Sequence, residues 1–413
     1  MKSAIIINIG DELLSGHTVN TNASFISLKL YNAGIITSEI RVLPDTEDAL
    51  LDIIAEVVGN FSTIIISGGL GPTHDDKTKS ILCKFFGSEL KFNDEIWDNI
   101  RSLFANRNIK ISEINKEQAL FPHNAKPLNN IYGTAPGIHY SAKGSEIFAL
   151  PGVPTEMKAM ITGHVLPFLV KSNKNYIVFR DINTYNIPES TLYEILSSYK
   201  EFPFGTEIAF LPKGYGVTVR IKAMGTDKEL ITHKVDSAVK IISSRIGNNI
   251  IGYNIEEPAL RVYEILSERA LTISFAESCT GGLVSKKITD IPGSSRVFKE
   301  GFITYSNDSK FKQLSVNPVT LSQNGAVSYE TVDEMLDGLL AVTEADIVCA
   351  ISGIAGPDGG TPEKPVGTIY IGCALRKNNK RTVKLHSVLG DRMSIRERSA
   401  NKLFIQVIEL LTK

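Results

Sequence analysis

The stretch FAESCTGGLVSKKITDIPGSSRVFKEGFITYSNDSK, residues 275–310, organises the C-terminal part of the chain. A predicted strand over 271–276 breaks at a glycine-rich turn, SCTGG (278–282), and the chain continues as a predicted helix. A second turn, PGSS (292–295), precedes another predicted strand, GFITYS (301–306). Strands and helices that alternate in this way are typical of an α/β domain.

Two kinds of chemistry are suggested by this stretch. A glycine-rich turn that leads into a helix presents free backbone N–H groups, which suits an anion such as a nucleotide phosphate. Ser, Tyr and Lys also occur close together in it, and they are the parts of a serine hydrolase that lacks histidine. A serine hydroxyl is a weak nucleophile until a base removes its proton. A buried lysine can be that base if its pKa falls from about 10.4 toward neutral.

The composition is that of an ordinary globular protein. The chain has 413 residues, 43% hydrophobic and 22% charged, with a net charge of −1. This length suits two or three domains, and the balanced charge favours neither nucleic acid nor an anionic membrane as a partner. No apolar run of membrane-spanning length occurs, and the N-terminal MKSAIIINIG is interpreted as a first buried strand. The four cysteines lack CxxC spacing, so we expect a cytoplasmic protein with free thiols.

The N-terminal half begins with a βαβαβ pattern. Predicted strands at 4–9, 36–43 and 62–67 alternate with predicted helices, which indicates a parallel sheet with right-handed crossovers. Ligands of such sheets bind beyond the carboxyl ends of the strands. Here the strand ends carry Gly10-Asp11, Pro44-Asp45 and the loop SGGLGPTHDDKT, residues 67–78.

That loop is the most informative feature of this half. Its glycines let backbone amides approach a phosphate, and Asp75 and Asp76 could hold a hard divalent cation beside it. Asp11, Glu12 and Asp45 should converge on the same edge of the sheet. The alternative interpretation is a glycine loop in which an aspartate caps the next helix, with His74 as an ordinary loop residue.

The remaining segments suggest three domains. Residues 88–130 are interpreted as a helical insertion with Trp97 in the core. From about 175 the order β-α-β-β-α predicts a small α+β domain, a spacer or interface module, and the polar stretch 246–258 marks a boundary. We therefore predict an N-terminal parallel-sheet domain, a small middle domain and a C-terminal α/β domain. Their predicted bounds are 1–170, 171–252 and 256–413.

Together these motifs resemble the CinA family (competence/damage-inducible protein A) over the whole chain. The N-terminal motifs GDELLSGHTVNTN, SGGLGPTHDDKT, GTAPG and LPGVPTEMKAM are similar to the MoaB/MogA-type, molybdopterin-binding fold. The C-terminal motifs AESCTGG, PGSS, GFITYSN, GAVSYE, SGIAGPDGG, KPVGTIYIG and GDR are similar to the nicotinamide-nucleotide amidase domain.

The resemblance implies two activities in the recycling of pyridine nucleotides such as NAD. The C-terminal domain would hydrolyse the amide of nicotinamide mononucleotide, releasing nicotinic acid mononucleotide and ammonia, without a cofactor. The N-terminal domain would be an ADP-ribose pyrophosphatase that needs a divalent metal ion (Mg, Mn or Co) and potassium. A homodimer that binds small nucleotides, and neither membrane nor nucleic acid, is expected.

The resemblance also implies site residues. The implied catalytic residues are Ser295 as nucleophile and Lys310 as base, with Tyr305, Ser352 and Arg392. The implied metal ligands are Asp11, Asp45, Asp75 and Asp76. The expected substrate-binding residues are Ser278, Thr280, Gly281, Gly282, Gly353, Gly68, Gly69, Gly71 and Thr73.

Several alternatives stay open at this point. The chain could be a pterin-binding or molybdenum-insertion protein, although its SGGLG loop differs from the TGGTG of pterin binders. It could also be a non-catalytic partner in DNA uptake or repair, as the name of the family hints. Within the amidase domain, the thiol of Cys279 is a rival nucleophile. The middle segment has NIPES where relatives have a glycine-containing GxxES, which affects a loop and neither active site.

Overall fold

A computed structural model describes residues 3–73, 76–197, 202–255, 257–378 and 380–412. By their internal contacts these form two compact units: Met1–Val178 with Ala223–His233, and Phe179–Lys222 with Lys234–Lys413. No helix of the described ranges is both long and apolar enough to cross a membrane.

The first part of the chain alternates strands and helices as its sequence predicts. Its strands are β1 (Ser3–Ile9), β2 (Ile36–Leu43), β3 (Thr63–Ser67), β4 (Leu90–Phe92), β5 (Leu120–Pro122), β6 (Lys126–Leu128), β7 (Gly137–Ala142) and β8 (Ser145–Leu150). Its helices are α1 (Asp11–Leu14), α2 (Thr21–Asn32), α3 (Glu47–Val57), α4 (Thr78–Phe85), α5 (Asp94–Asn106), α6 (Pro154–Met160) and α7 (Leu166–Ser172). A 3-10 helix spans Glu113–Ala119 and a short π-helix spans Ile161–Val165.

Six strands of this part form one sheet in the order β2-β1-β3-β8-β7-β6. The first four strands are parallel, which confirms the predicted parallel sheet. Alternate isoleucines of β1 are buried against helices on opposite faces, so the strand is apolar along its length. β7 and β6 add two antiparallel strands that the sequence analysis missed. The two-residue turn Lys143-Gly144, with positive φ at both residues, joins β7 to β8 and was the available signal.

The insertion at 88–130 is only partly helical. Besides α5 it contains a two-stranded antiparallel sheet of β4 and β5. Trp97 is half-buried at the edge of the hydrophobic cluster, because the α5 residues that point fully inward are Ile96 and Ile100. The prediction of a purely helical segment was therefore wrong for the residues that flank α5.

The middle segment forms a four-stranded sheet. Its elements are β9 (Tyr176–Thr184), α8 (Glu189–Leu196), β10 (Thr206–Lys213), β11 (Gly216–Gly225), α9 (Lys228–Ile246) and β12 (Ile250–Tyr253), with strand order β10-β11-β9-β12. The stretch 246–258, which we interpreted as a boundary, contains β12, which pairs antiparallel with β9. Its buried Ile251 explains why this short polar stretch is a strand.

The C-terminal segment forms a five-stranded sheet in the order β14-β13-β15-β16-β17. Its elements are α10 (Pro258–Arg269), β13 (Ile273–Glu277), α11 (Leu283–Thr289), β14 (Phe298–Ile303), α12 (Asn307–Leu314), α13 (Pro318–Asn324), α14 (Tyr329–Val342), β15 (Ile347–Gly353), β16 (Thr368–Leu375), β17 (Arg381–Ser387) and α15 (Arg392–Thr412). β14, β13 and β15 are parallel, whereas β16 and β17 are antiparallel additions. Helices cover both faces, and the carboxyl ends of the three parallel strands meet at one edge.

Candidate functional site

A buried lysine occupies the carboxyl edge of the C-terminal sheet. Lys310 lies in α12, whose first turn is capped by the Ser306 side chain, and its own side chain has no exposed surface. Its Nζ donates to Ser278 Oγ at 3.0 Å and to the carbonyl oxygen of Thr304 at 2.8 Å. Burial lowers the pKa of Lys310 to about 8, because the charged ammonium loses its hydration. This lysine is suited to exchange a proton near neutral pH.

Ser278 is the hydroxyl partner of that lysine. It follows β13 directly, and its backbone N–H donates to the carbonyl oxygen of Ile351 on β15 at 3.0 Å. The side chain is buried beside Lys310, so Ser278 is held by the end of β13 and Lys310 by α12. The structure therefore assembles a serine–lysine pair from the ends of β13 and the start of α12.

Ser295 lies elsewhere, which corrects the expected Ser295–Lys310 pair. It sits in the 3-10 turn Ser294–Arg296, just before β14. β13 and β14 are parallel, with Ile273 opposite Phe298 and Glu277 opposite Ile303. Ser295 therefore lies at the amino ends of these strands and Ser278 at their carboxyl ends. At about 3.3 Å per residue, β14 alone separates these two edges by about 16 Å. Within one chain, Ser295 cannot give its proton to Lys310.

The thiol of Cys279 is a poor alternative nucleophile. Burial raises the pKa of Cys279 to about 12, and the nearby Glu277 carboxylate adds to the increase. Lys310 and Arg396 act in the opposite direction but do not overcome it. A thiol with such a pKa stays protonated at neutral pH, and only the thiolate is reactive.

Two arginines of the first turns of α15 face the same edge. Arg392 donates through Nη1 to the carbonyl oxygen of Gly356 at 2.6 Å and through Nη2 to the hydroxyl of Tyr305 at 3.1 Å. Tyr305 itself is 57% exposed, so its ring is open to a ligand. Arg396 donates to the carbonyl oxygen of Thr280 at 2.6 Å. The sequence analysis missed Arg396, although its spacing of four residues from Arg392 places both on one helix face.

Three N–H groups at the junction of the glycine-rich turn and α11 already have a partner within the chain. The backbone N–H groups of Gly282, Val284 and Ser285 all donate to the carboxylate of Glu277, at 2.8–3.0 Å. Gly282 has φ 93°, a left-handed conformation that glycine adopts without strain. These three amides are therefore not available to a substrate phosphate, because the chain fills the position with the carboxylate of Glu277.

The remaining expected residues of this site differ in their surroundings. Ser352, at the end of β15, donates from Oγ to the carbonyl oxygen of Ala326 at 2.6 Å. A Cβ on Gly353 would lie 2.9 Å from the backbone carbonyl oxygen of Thr368 and 3.2 Å from Sγ of Cys279, so only glycine fits there without a shift of the backbone. The hydroxyl of Thr280 is buried without a hydrogen-bond partner among the described residues.

A second site lies at the carboxyl edge of the N-terminal sheet. It is a cleft of about 550 Å³. It is lined by Ile9, Gly10, Glu12, Asp45, Gly68, Gly69, Leu70, Gly71, Pro72, Asp76, Thr134, Ala135, Pro151, Gly152, Val153 and Glu156. Its wall is tightly packed, since a Cβ on Gly68 would lie 2.5 Å from the carbonyl oxygen of Ile9. The three predicted glycines and two of the four predicted metal ligands thus face one cleft.

The carboxylates of this cleft are partly engaged. Asp45 Oδ2 accepts from the backbone N–H of Asp11 at 3.1 Å, and Asp76 Oδ2 accepts from the backbone N–H and hydroxyl of Thr73 at 3.0 and 2.6 Å. Burial raises the pKa of Asp45, and the carboxylates of Asp11, Glu12 and Asp76 raise it further. The cleft is therefore rich in negative charge beside its glycine loop.

Sequence and structure differ on which acids line the cleft. Asp11 and Thr73 contribute hydrogen bonds to its walls. Glu12 lines the cleft at the edge where the sequence predicted it, although it was not among the predicted metal ligands, whereas Glu156 was not expected there. The Glu156 carboxylate accepts from Nδ2 of Asn130 at 2.7 Å. Asp11 and Glu12 are adjacent in the single turn of α1, and the sequence does not indicate which of the two points into the cleft. Asp75 lies outside the described residues.

The donor set suits a metal that shares its coordination with a substrate. No group of three or more His, Cys, Asp or Glu side chains in the described ranges is arranged to hold a metal alone. Within the part of the chain that the structure describes, Asp45 and Asp76 each keep one carboxylate oxygen without a hydrogen bond from the protein. Mg²⁺ is commonly held by one or two carboxylates and substrate phosphates, and two such carboxylates meet that requirement.

Three family models cover almost the whole chain. The model described as CinA C-terminal domain matches residues 255–411, and the one described as Probable molybdopterin binding domain matches 5–171. The model described as Damage-inducible protein CinA KH domain matches 180–252.

Relatives match along their full length. A CinA-like protein of Chloroherpeton thalassium is 39% identical over 415 residues, covering 99% of both chains. A CinA-like protein of Kosmotoga olearia is 40% identical over 397 residues, covering 96% of both. The solved competence/damage inducible protein CihA of Agrobacterium tumefaciens is 36% identical, with a TM-score of 0.36, and covers 38% of this chain and 94% of its own.

Fold and sites thus define a multidomain α/β protein in which a MoaB/MogA-like sheet with an acidic cleft precedes a sheet with a buried serine–lysine pair. The chain belongs to the CinA family.

Proposed function

We propose that the C-terminal domain hydrolyses the carboxamide of nicotinamide mononucleotide, with Ser278 as nucleophile and Lys310 as base. The observation that carries this proposal is the hydrogen bond of 3.0 Å between Lys310 Nζ and Ser278 Oγ, both buried at the carboxyl edge of the sheet. With a pKa of about 8, roughly one Lys310 in ten is neutral at pH 7. That fraction is enough for a general base.

Acylation would begin on the neutral lysine. Lys310 Nζ takes the hydroxyl proton of Ser278 while Oγ attacks the carboxamide carbon, forming a C–O bond and a tetrahedral oxyanion. The resulting ammonium of Lys310 then gives its proton to the departing nitrogen as the C–N bond breaks. Ammonia leaves, and an acyl ester on Ser278 remains.

Deacylation would use the same base. Lys310, neutral again, takes a proton from water as the oxygen of that water attacks the ester carbon. The ester C–O bond breaks, Ser278 regains its proton from the ammonium of Lys310, and the new carboxylic acid of nicotinic acid mononucleotide loses its proton to the solvent as the product leaves. Arg392 and the exposed ring of Tyr305 lie beside this edge and would bind the nucleotide.

We further propose that the N-terminal cleft cleaves the pyrophosphate of ADP-ribose, so that both sites serve the recycling of pyridine nucleotides. The glycine loop at Gly68–Gly71 would approach the phosphates, and Asp45 and Asp76 would hold a divalent ion, with potassium as a second cofactor. When bound, the divalent ion supplies positive charge that neutralises the pyrophosphate. The acidic cleft beside a glycine loop supports this assignment over a pterin site.

Two assays on the purified full chain test both activities. Ammonia release from nicotinamide mononucleotide should occur without added metal, and release of AMP from ADP-ribose should need it. A protein that carries pterin after purification and performs neither reaction would point to the molybdenum-related alternative. Failure of one assay alone would refute only the corresponding site.

A further inference from the structure

Glu277 immediately precedes Ser278 and is completely buried, yet no basic side chain pairs with it among the described residues. An isolated buried carboxylate is costly unless hydrogen bonds compensate for its lost hydration. Here Oε2 accepts from the N–H groups of Gly282 and Val284 at 2.9 and 3.0 Å. Oε1 accepts from the N–H and the hydroxyl of Ser285 at 2.8 and 2.7 Å.

These four hydrogen bonds tie the turn and the first residues of α11 back to the end of β13. The main chain of Glu277 is fixed at the same time, because its carbonyl oxygen accepts from the N–H of Thr304 at 2.8 Å. Thr304 also supplies the carbonyl oxygen that accepts from Lys310. One residue thus joins the turn that carries Ser278 to the segment that carries the Lys310 contact.

We propose that Glu277 is a positioning residue that holds Ser278 in line with Lys310 by filling the anion-binding turn with its own carboxylate. This inference rests on the proposed amidase function. Glu277 is not a candidate catalytic residue, because both of its oxygens accept hydrogen bonds from the turn and from α11. Glu277 would affect the reaction only by setting the position of Ser278 Oγ. A displacement of that oxygen by about 1 Å can lower the rate on the order of a hundredfold.

The test compares Glu277→Gln with Asp346→Asn in the full chain. Asp346 is a matched control, because its carboxylate accepts from the N–H and hydroxyl of Thr272 at 2.8 and 2.7 Å, at the opposite end of the same sheet. A glutamine in place of Glu277 turns an NH2 group toward backbone donors and loses their hydrogen bonds. We expect kcat for ammonia release to fall about tenfold or more, with KM changed less than about threefold.

The pH profile separates positioning from a change in the base. The midpoint assigned to Lys310 should be the same in Glu277→Gln and in the unmodified protein. Asp346→Asn should keep kcat even if its melting temperature falls. Unchanged kcat in folded Glu277→Gln, or an equal loss in Asp346→Asn, would overturn the proposal. If Glu277→Gln does not fold, Ser285→Ala removes one donor and should lower kcat by about twofold to fivefold, and no decrease would overturn it.

A probe that does not depend on the substrate distinguishes this proposal from the amidase assignment. Phenylmethylsulfonyl fluoride transfers its sulfonyl group to an activated serine oxygen and releases fluoride and the hydroxyl proton. Intact-mass and peptide analysis should find Ser278 labelled in the unmodified protein and in Asp346→Asn, and labelled at least about tenfold more slowly in Glu277→Gln. Labelling without ammonia release would refute the substrate assignment and keep the positioning role. No labelling of Ser278 in the unmodified protein would overturn the positioning role.

Discussion

Lys310 Nζ and Ser278 Oγ are 3.0 Å apart, although 32 positions separate the two residues in the chain. The contact exists because β13 and β14 are parallel neighbours, which brings the residues after both strands to the same edge. It makes Ser278, rather than Ser295, the hydroxyl that can lose its proton to Lys310.

The first prediction identifies the nucleophile by substitution. Ser278→Ala and Lys310→Ala should both reduce ammonia release to background, because either change removes one half of the proton transfer. Ser295→Ala and Cys279→Ala should retain most of the activity. An inactive Ser295→Ala protein together with an active Ser278→Ala protein would contradict this, and would require Ser295 to act on a site of a second copy.

The second prediction concerns pH. Because the pKa of folded Lys310 is about 8, kcat should rise with an apparent midpoint near pH 8 and then level off. Buffers of different chemistry at constant ionic strength give the check. A profile that is flat from pH 6 to 10 would exclude Lys310 as the base.

The third prediction concerns stability. Below pH 8 Lys310 is charged in the folded and the unfolded chain, and its burial lowers the free energy of unfolding. Between about pH 8 and 10.5 only the unfolded chain binds this proton, so the stability of the protein rises with pH.

The variant Lys310→Met has no titratable group at this position, so it lacks this rise in stability with pH. Its stability relative to the unmodified protein should therefore fall by about 3 kcal/mol in total from pH 7 to pH 10.5. Urea denaturation at several pH values measures the difference. A constant difference over this range would show that the pKa of Lys310 is not lowered.

The fourth prediction concerns the metal. EDTA should stop cleavage of ADP-ribose and leave ammonia release unchanged, because the proposed reaction of Ser278 and Lys310 uses no metal, whereas Asp45 and Asp76 would hold the divalent ion. Asp45→Asn and Asp76→Asn should reproduce the effect of EDTA, whereas Asp52→Asn, which removes the same charge from an exposed position of α3, should not. Loss of both activities in EDTA without unfolding would contradict the assignment.

The sequence predicted strands better than side-chain partners. Buried isoleucine runs identified β1 and β3, because apolar strands between two helix layers have a strong local pattern. The AESCTGG and GFITYSN motifs placed Ser278, Tyr305 and Lys310 in the same region. Their pairing depended on strand direction and register, which local patterns do not encode.

Two further differences between prediction and structure also arise from contacts between residues that are distant in the chain. The sequence pattern of a glycine loop predicts N–H groups that are free to bind a ligand. Only the fold shows that the carboxylate of Glu277 accepts hydrogen bonds from those of Gly282 and Val284. Likewise β12 is a short polar stretch whose strand conformation comes from pairing with β9. Tertiary hydrogen bonds decided both outcomes.

The last prediction concerns separation of the two activities. We expect a fragment of residues 257–413 to fold and release ammonia, since the serine, the lysine and both arginines lie within it. Removing the residues before 257 should lower the stability of this fragment, because Tyr185, Ile251 and Ile255 are buried in the same hydrophobic cluster as α10 and α15. Asn183 Nδ2 also donates to the carbonyl oxygen of Ile255 at 2.9 Å.

A longer fragment, residues 179–413, keeps these contacts and should therefore melt at a higher temperature than 257–413. Removing buried apolar partners of this size costs about 2–5 kcal/mol each in comparable cores, so the difference should be several degrees or more. Circular dichroism, size-exclusion chromatography and the ammonia assay on both fragments provide the measurement, with the full chain as control. Equal melting temperatures would show that the middle segment does not stabilise the C-terminal domain. A folded but inactive 179–413 fragment would show that the amidase site needs residues from the first part of the chain or from a second copy.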